Sequence, residues 1–213
     1  MAHSSAVCGS VSTGTSTCAT ALSVSAHQFA YFPIDLTLTR ILQSFATPAL
    51  DIFTTAVDWI GYVPQFLVIV ALIALTFWIV GWRREASVIV LAEISEGIIN
   101  NAVKWLVVRP RPDPSLVRVY FPLQDYTFPS GHAFSFLVVF GLLVVILFVR
   151  WRPSVTRTLI VTFLMALIVV VGPVRMYLGA HWFSDVLAGY LLGAVDLLLL
   201  IAWYRRASSH LRH

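Results

Sequence analysis

The chain has 213 residues, 59% hydrophobic and only 11% charged, with a formal net charge of +4. Soluble domains carry roughly 25% charge, so the sequence cannot supply a wetted exterior and reads as an all-α integral membrane protein. The positive excess is almost all Arg, with Lys104 the single lysine. It forms no nucleic-acid stripe, which excludes nucleic acid as a partner and leaves a topology signal.

Residues 1–28 are rich in Ser, Thr and Ala, without a basic start or an apolar block. They read as a flexible tail rather than a signal peptide, a weakly apolar sixth span being the alternative. Cys8 and Cys18 are too few for a disulfide framework and leave two thiols or one optional bridge. Residues 29–60 mix Asp35, Arg40, Asp51 and Asp58 with aromatic and aliphatic side chains, which predicts one or two amphipathic helices at the interface.

The transmembrane domain is expected over 61–205, as a bundle of five, or six, transmembrane helices, with 206–213 a cytoplasmic tail. The spans fall near 62–82, 86–108, 132–150, 157–174 and 184–204, each about long enough for a ~30 Å hydrocarbon core. Arg83 and Arg84, then Arg150, Arg152 and Arg157, then Arg205 and Arg206 mark the cytoplasmic ends. The opposite ends carry Lys104, Arg109, Arg111, Arg118 and Arg175, against that rule, so these cations need another explanation.

Three blocks at those ends carry chemistry. The first is Lys104, six residues, then Arg111-Pro112. The second is Pro129-Ser130-Gly131-His132, opening a span. The third is Arg175, His181 and Asp185. Lys104, Arg111 and Arg175 are donors only and suit a phosphate dianion. Ser130 reads as a helix N-cap, where backbone N–H groups and the dipole favour an anion, and Gly131 allows close approach. Asp185 lies four residues after His181, so in a helical turn the carboxylate meets one ring nitrogen and frees the other to attack phosphorus. His132 is then the general acid for the leaving alcohol. The other four histidines lie in or near the terminal segments. A catalytic metal would need several clustered carboxylates or imidazoles and would be repelled by these cations, so no metal and no cofactor is expected.

In order and spacing the three blocks resemble the signature of the type-2 phosphatidic acid phosphatase superfamily, which includes glucose-6-phosphatase and vanadium haloperoxidases. The likeness runs over roughly residues 60–205. It implies Lys104, Arg111 and Arg175 as phosphate ligands with help from Ser130 and Gly131, His132 as acid, His181 as nucleophile and Asp185 as its partner. One departure is visible: the third block of the family usually begins Ser-Arg, and here it is Val174-Arg175.

The expectation is therefore a plasma-membrane lipid phosphatase with its active site on the non-cytoplasmic face. Candidate substrates are a polyprenyl diphosphate, phosphatidylglycerol phosphate or phosphatidate, hydrolysed through a phosphohistidine. The alternatives are a phosphotransferase and a non-catalytic transporter or sensor of anionic lipid. Arg109 and Arg118 hold no motif position and read as headgroup contacts. Glu93, Glu96, Asn100 and Lys104 share a helix face, read first as a network that orients Lys104 and pins helices, and second as a polar stripe to the phosphate cage. Gly189 and Gly193 read as a close-packing face, and Asp196 as a bond to a neighbouring helix.

Overall fold

The computed structural model describes residues 30–209, so the expected tail at 1–28, with its two cysteines, lies outside them. The described residues form seven helices and no strand: α1 (Pro33–Ser44), α2 (Pro48–Ile60), α3 (Val63–Ile79), α4 (Arg83–Val107), α5 (Gly131–Arg150), α6 (Val155–Tyr177) and α7 (Phe183–Ser209). The middle turn of α5, Phe136–Phe140, widens into a π-helix.

Local chemistry explains the boundaries. α1 and α2 each open on Pro, which has no N–H to leave unpaired at a first turn. Asp35 accepts from the Phe32 N–H at 2.9 Å, and the Thr47 hydroxyl accepts from the Leu50 N–H at 3.2 Å. α4 ends where Val108 turns left-handed at φ 52°, followed by Pro110 and Pro112. The turn after α6 needs Gly179: its φ is 66°, and a Cβ there would lie 2.2 Å from the Arg118 carbonyl oxygen.

Four helices, α4 to α7, are long and apolar enough to cross a membrane; α2 and α3, bent by 60° at their junction, make a fifth span if taken together. The central helix is α5, 67% buried over its most apolar stretch against 28–39% for the other three. Phe134, Phe136, Val138, Leu142 and Ile146 on α5 are fully enclosed, while Leu72, Ile79, Leu159, Phe163, Leu198 and Leu199 face outward, as lipid contact requires. Gly189 lets α7 lie against the start of α5, since a Cβ would come within 2.6 Å of the Ser130 carbonyl oxygen. Ser95 on α4 donates to Asp196 on α7 at 2.9 Å, the interhelical bond expected of that acid.

The spans α4 to α7 match the apolar stretches of the sequence to within a few residues, whereas the stretch expected near 62–82 holds α3, which counts as a span only together with α2. The N-terminal segment differs from the expectation. It is helical and amphipathic, but Asp35, Thr39, Thr54 and Asp58 are buried against the bundle instead of wetted at an interface. Buried carboxylates need partners, and two arginines from elsewhere supply them.

Because the helices alternate in direction, the C-terminal ends of α4 and α6 and the N-terminal ends of α5 and α7 share one end of the bundle. The other end holds its own cluster: Glu85 accepts from Arg150 at 2.7 Å and from the Tyr204 hydroxyl at 2.6 Å, with Arg84 over the Tyr204 ring.

Candidate active site

Lys104, Arg111, Gly131, His132, Arg175 and His181 line one cavity of about 210 Å³ at the first of those ends. Six of the eight site residues expected from the sequence thus converge from four separate stretches of chain. Ser130 and Asp185 do not reach the cavity; both are fully buried behind it, joined by a bond from the Ser130 N–H to the Asp185 carbonyl oxygen at 3.0 Å. Ser130 does precede α5 at the N-cap, but its enclosed hydroxyl makes no hydrogen bond.

His181 is 2% exposed, with its two ring nitrogens in different company. Nε2 lies 3.4 Å from Arg111 Nη1. Nδ1 lies 3.1 Å from the Thr127 hydroxyl, which donates to Asp185 Oδ2 at 2.7 Å. The Asp185 carboxylate itself is 3.8 Å from Nδ1, too far for a hydrogen bond. The expected direct His–Asp contact is therefore bridged by a threonine that sequence spacing could not reveal. Since the Thr127 proton is spent on Asp185, its oxygen accepts from Nδ1–H, and Nε2 keeps its lone pair. Burial pushes the His181 imidazole well below the usual histidine range, and Arg175, Arg111 and Lys104 push the same way.

Asp185 is held from further sides. It accepts from the Trp182 N–H at 2.8 Å and from Arg109 at 2.5 Å. Arg109 also donates to Asp35 at 2.9 Å and to Ser184 at 2.7 Å, and is 4% exposed. This corrects the reading of Arg109 as a headgroup contact: it is the buried counter-charge of two carboxylates. Arg118 likewise is engaged within the protein, with Asp51 at 3.2 Å and the Tyr177 hydroxyl at 3.1 Å.

His132 lines the same cavity. Its Nε2 is 3.1 Å from the Asp58 carbonyl oxygen and 3.5 Å from the Asp58 carboxylate, which also pairs with Arg175. The ring edge meets Tyr62, and a Cβ on Gly61 would lie 2.2 Å from its Cδ2, so only glycine at the α2–α3 junction leaves room for it. Val174, where the family pattern has Ser, is buried in an apolar cluster with Val57, Tyr177 and Leu178.

Glu93, Glu96 and Asn100 also line the cavity, as in the second reading of that stripe. Lys104 is oriented by the connecting loop instead: it donates to Asp125 at 2.6 Å and to the Tyr126 carbonyl oxygen at 2.8 Å. Arg111 grips Asp125 as well, at 2.6 and 3.0 Å, and donates to the Ala180 carbonyl oxygen at 2.6 Å. Among the described residues no three His, Cys, Asp or Glu side chains group as metal ligands would.

The PAP2 superfamily model matches residues 85–209, more than half of the chain. This chain belongs to the PAP2 superfamily. Phosphatidylglycerophosphatase B of Bacillus subtilis is 24% identical over 184 residues, covering 84% of this chain and 87% of that protein. A crystal structure of a transmembrane PAP2 type phosphatidylglycerolphosphate phosphatase from Bacillus subtilis has the same fold: TM-score 0.76 at 21% identity, over 88% of this chain and 92% of that one. So does LpxE of Aquifex aeolicus, with TM-score 0.66 and 23% identity over 82% of this chain and 98% of that one. As a PAP2 protein this is an integral membrane hydrolase of phosphoric monoesters or diphosphates, in a family of lipid phosphatases.

Proposed function

We propose that the protein hydrolyses a lipid phosphate through a phosphohistidine on His181. The observation that carries the proposal is the pair of environments around that ring: Nδ1 backed by Thr127 and Asp185, and Nε2 beside the Arg111 guanidinium at 3.4 Å. A phosphate held by Lys104, Arg111, Arg175 and the N–H groups at the start of α5 would present phosphorus to Nε2. Attack forms the P–N bond as the ester P–O bond breaks, and His132 gives its proton to the leaving oxygen. His132 then takes a proton from water, whose oxygen displaces His181 and releases phosphate. The cations match the charge on the equatorial oxygens in both steps.

The arginines at the far end of the bundle support a site on the non-cytoplasmic face of the plasma membrane. Likeness to phosphatidylglycerophosphatase B puts phosphatidylglycerol phosphate first among the substrates, ahead of phosphatidate and polyprenyl diphosphate. The acidic and amide wall of Glu93, Glu96 and Asn100 favours a hydroxylated leaving group over a second phosphate.

Phosphate release from these three lipids, measured in detergent with and without EDTA, tests the reading. Loss of activity on chelation would overturn the metal-free chemistry. Undiminished turnover by His181→Ala, or failure to trap an acid-labile phosphoenzyme that the variant lacks, would overturn the nucleophile. Lipid binding without product over long incubation would point to a sensor instead.

A further inference from the structure

All three cavity cations already hold a carboxylate of the protein: Arg175 holds the buried Asp58, while Lys104 and Arg111 share Asp125. Asp125 lies on the loop between α4 and α5. Its Oδ2 is 2.6 Å from Lys104 Nζ, and its Oδ1 is 2.6 Å from Arg111 Nη2 and 3.0 Å from Arg111 Nε. One oxygen on an ammonium and one on a guanidinium edge is the arrangement a phosphate would make with the same pair. Burial raises the Asp125 pKa, but hydrogen bonds and charge from Lys104 and Arg111 outweigh it and hold the carboxyl at about 2. It is an anion at every working pH.

The two sides of this contact differ in exposure. The Lys104 and Arg111 side chains are 13% and 11% exposed, whereas that of Asp125 is 55% exposed. Asp125 also has somewhere to go. It lines both the catalytic cavity and a neighbouring groove of about 370 Å³, formed with Asn101, Trp105, Gln124 and Tyr126 and shared with Lys104. A rotation of the side chain would take the carboxylate off both cations, which keep their bonds to the Tyr126, Asp125 and Ala180 carbonyl oxygens.

We infer that Asp125 is a resident anion that phosphate must displace, and that its carboxylate keeps the free phosphate product weakly held. This rests on the reading of Lys104 and Arg111 as phosphate ligands. Free phosphate offers little beyond charge, so it competes directly with a carboxylate tethered at high local concentration. Its apparent affinity is multiplied by the fraction of molecules in which Asp125 has swung away, and is lowered accordingly. A lipid phosphate meets the same cost and offsets it with apolar contacts to Tyr62, Val63, Phe66 and Leu123 in the same cavity. After hydrolysis the return of Asp125 would expel the inorganic product.

The test uses the full chain in detergent, with inorganic phosphate as the probe, in direct calorimetric titration and as an inhibitor of lipid turnover. Asp125→Asn and Asp125→Ala should each tighten phosphate binding roughly fivefold or more. Inhibition of lipid turnover by phosphate should deepen by the same factor, and Asp125→Glu should stay near wild type. Unchanged or weaker phosphate binding in both neutral variants, with wild-type helicity by circular dichroism, overturns the inference. Binding by neither wild type nor any variant sinks the phosphate-cage reading itself.

Discussion

Replacing Thr127 by Val isolates the bridge between His181 and Asp185. Valine nearly matches threonine in shape, and Thr127 is fully buried and does not line the cavity, so substrate contacts remain. The hydroxyl lost is the acceptor for Nδ1–H at 3.1 Å and a donor to the carboxylate at 2.7 Å. Asp185 keeps its bonds from Arg109 and the Trp182 N–H. Charge on the imidazole rises as Nε2 bonds to phosphorus, and the bridge stabilises that state most. A hydrogen bond to a charged group contributes roughly 1.5–3 kcal/mol, and 1.36 kcal/mol is tenfold in rate. The expected loss is therefore about 10- to 100-fold in kcat with KM nearly unchanged. Thr127→Ser, which keeps the hydroxyl, should recover most of it. Phosphate release at saturating lipid is the assay. A kcat for Thr127→Val within threefold of wild type, or a loss confined to KM, would refute the bridge.

Arg109→Leu strands the fully buried Asp35 and Asp185 carboxylates, and is expected to cost roughly 3–5 kcal/mol of stability, read as denaturant unfolding in detergent. His181 must be unprotonated to attack, and its lowered pKa keeps it so as pH falls through the ordinary histidine range. The acid limb of kcat/KM, which reports the free enzyme, should accordingly lie below pH ~6.5; a limb above that would contradict the burial. Gly61→Ala drives a methyl into the His132 ring and should reduce kcat by on the order of 100-fold with little change in phosphate binding, which equilibrium titration would check.

Much of the bundle was legible because each span needs a long apolar run and those runs end at arginines. The site was legible where chemistry and spacing coincide: His181 and Asp185 four apart, Gly131-His132 opening a helix, Lys104 one loop from Arg111. Arg109 was misread for a physical reason. Pro110 and Pro112 take the segment out of the helix, so helical spacing does not fix where its side chains point, and Arg109 turns to buried acids while Arg111 meets the cavity. Arg-Pro-Arg-Pro was the available signal. Thr127, Asp125 and Asp58 carry no local mark, since each gains its role only from a chain partner 14 to 117 residues away. The buried acids of α1 and α2 mimicked an interfacial pattern because inward polarity and outward polarity leave the same periodicity.

The junction at Gly61 divides labour within the molecule. Groups that would meet phosphorus come from residues 104–181, whereas Gly61, Tyr62, Val63 and Phe66 wall the same hollow from a different stretch of chain. Reactivity and the shape offered to the departing alcohol are thus encoded largely apart, meeting at Gly61 and Tyr62, which also touch His132. Descendants of such a protein could retune what they accept by altering a few side chains of one helix, leaving every ligand of the transferred group in place.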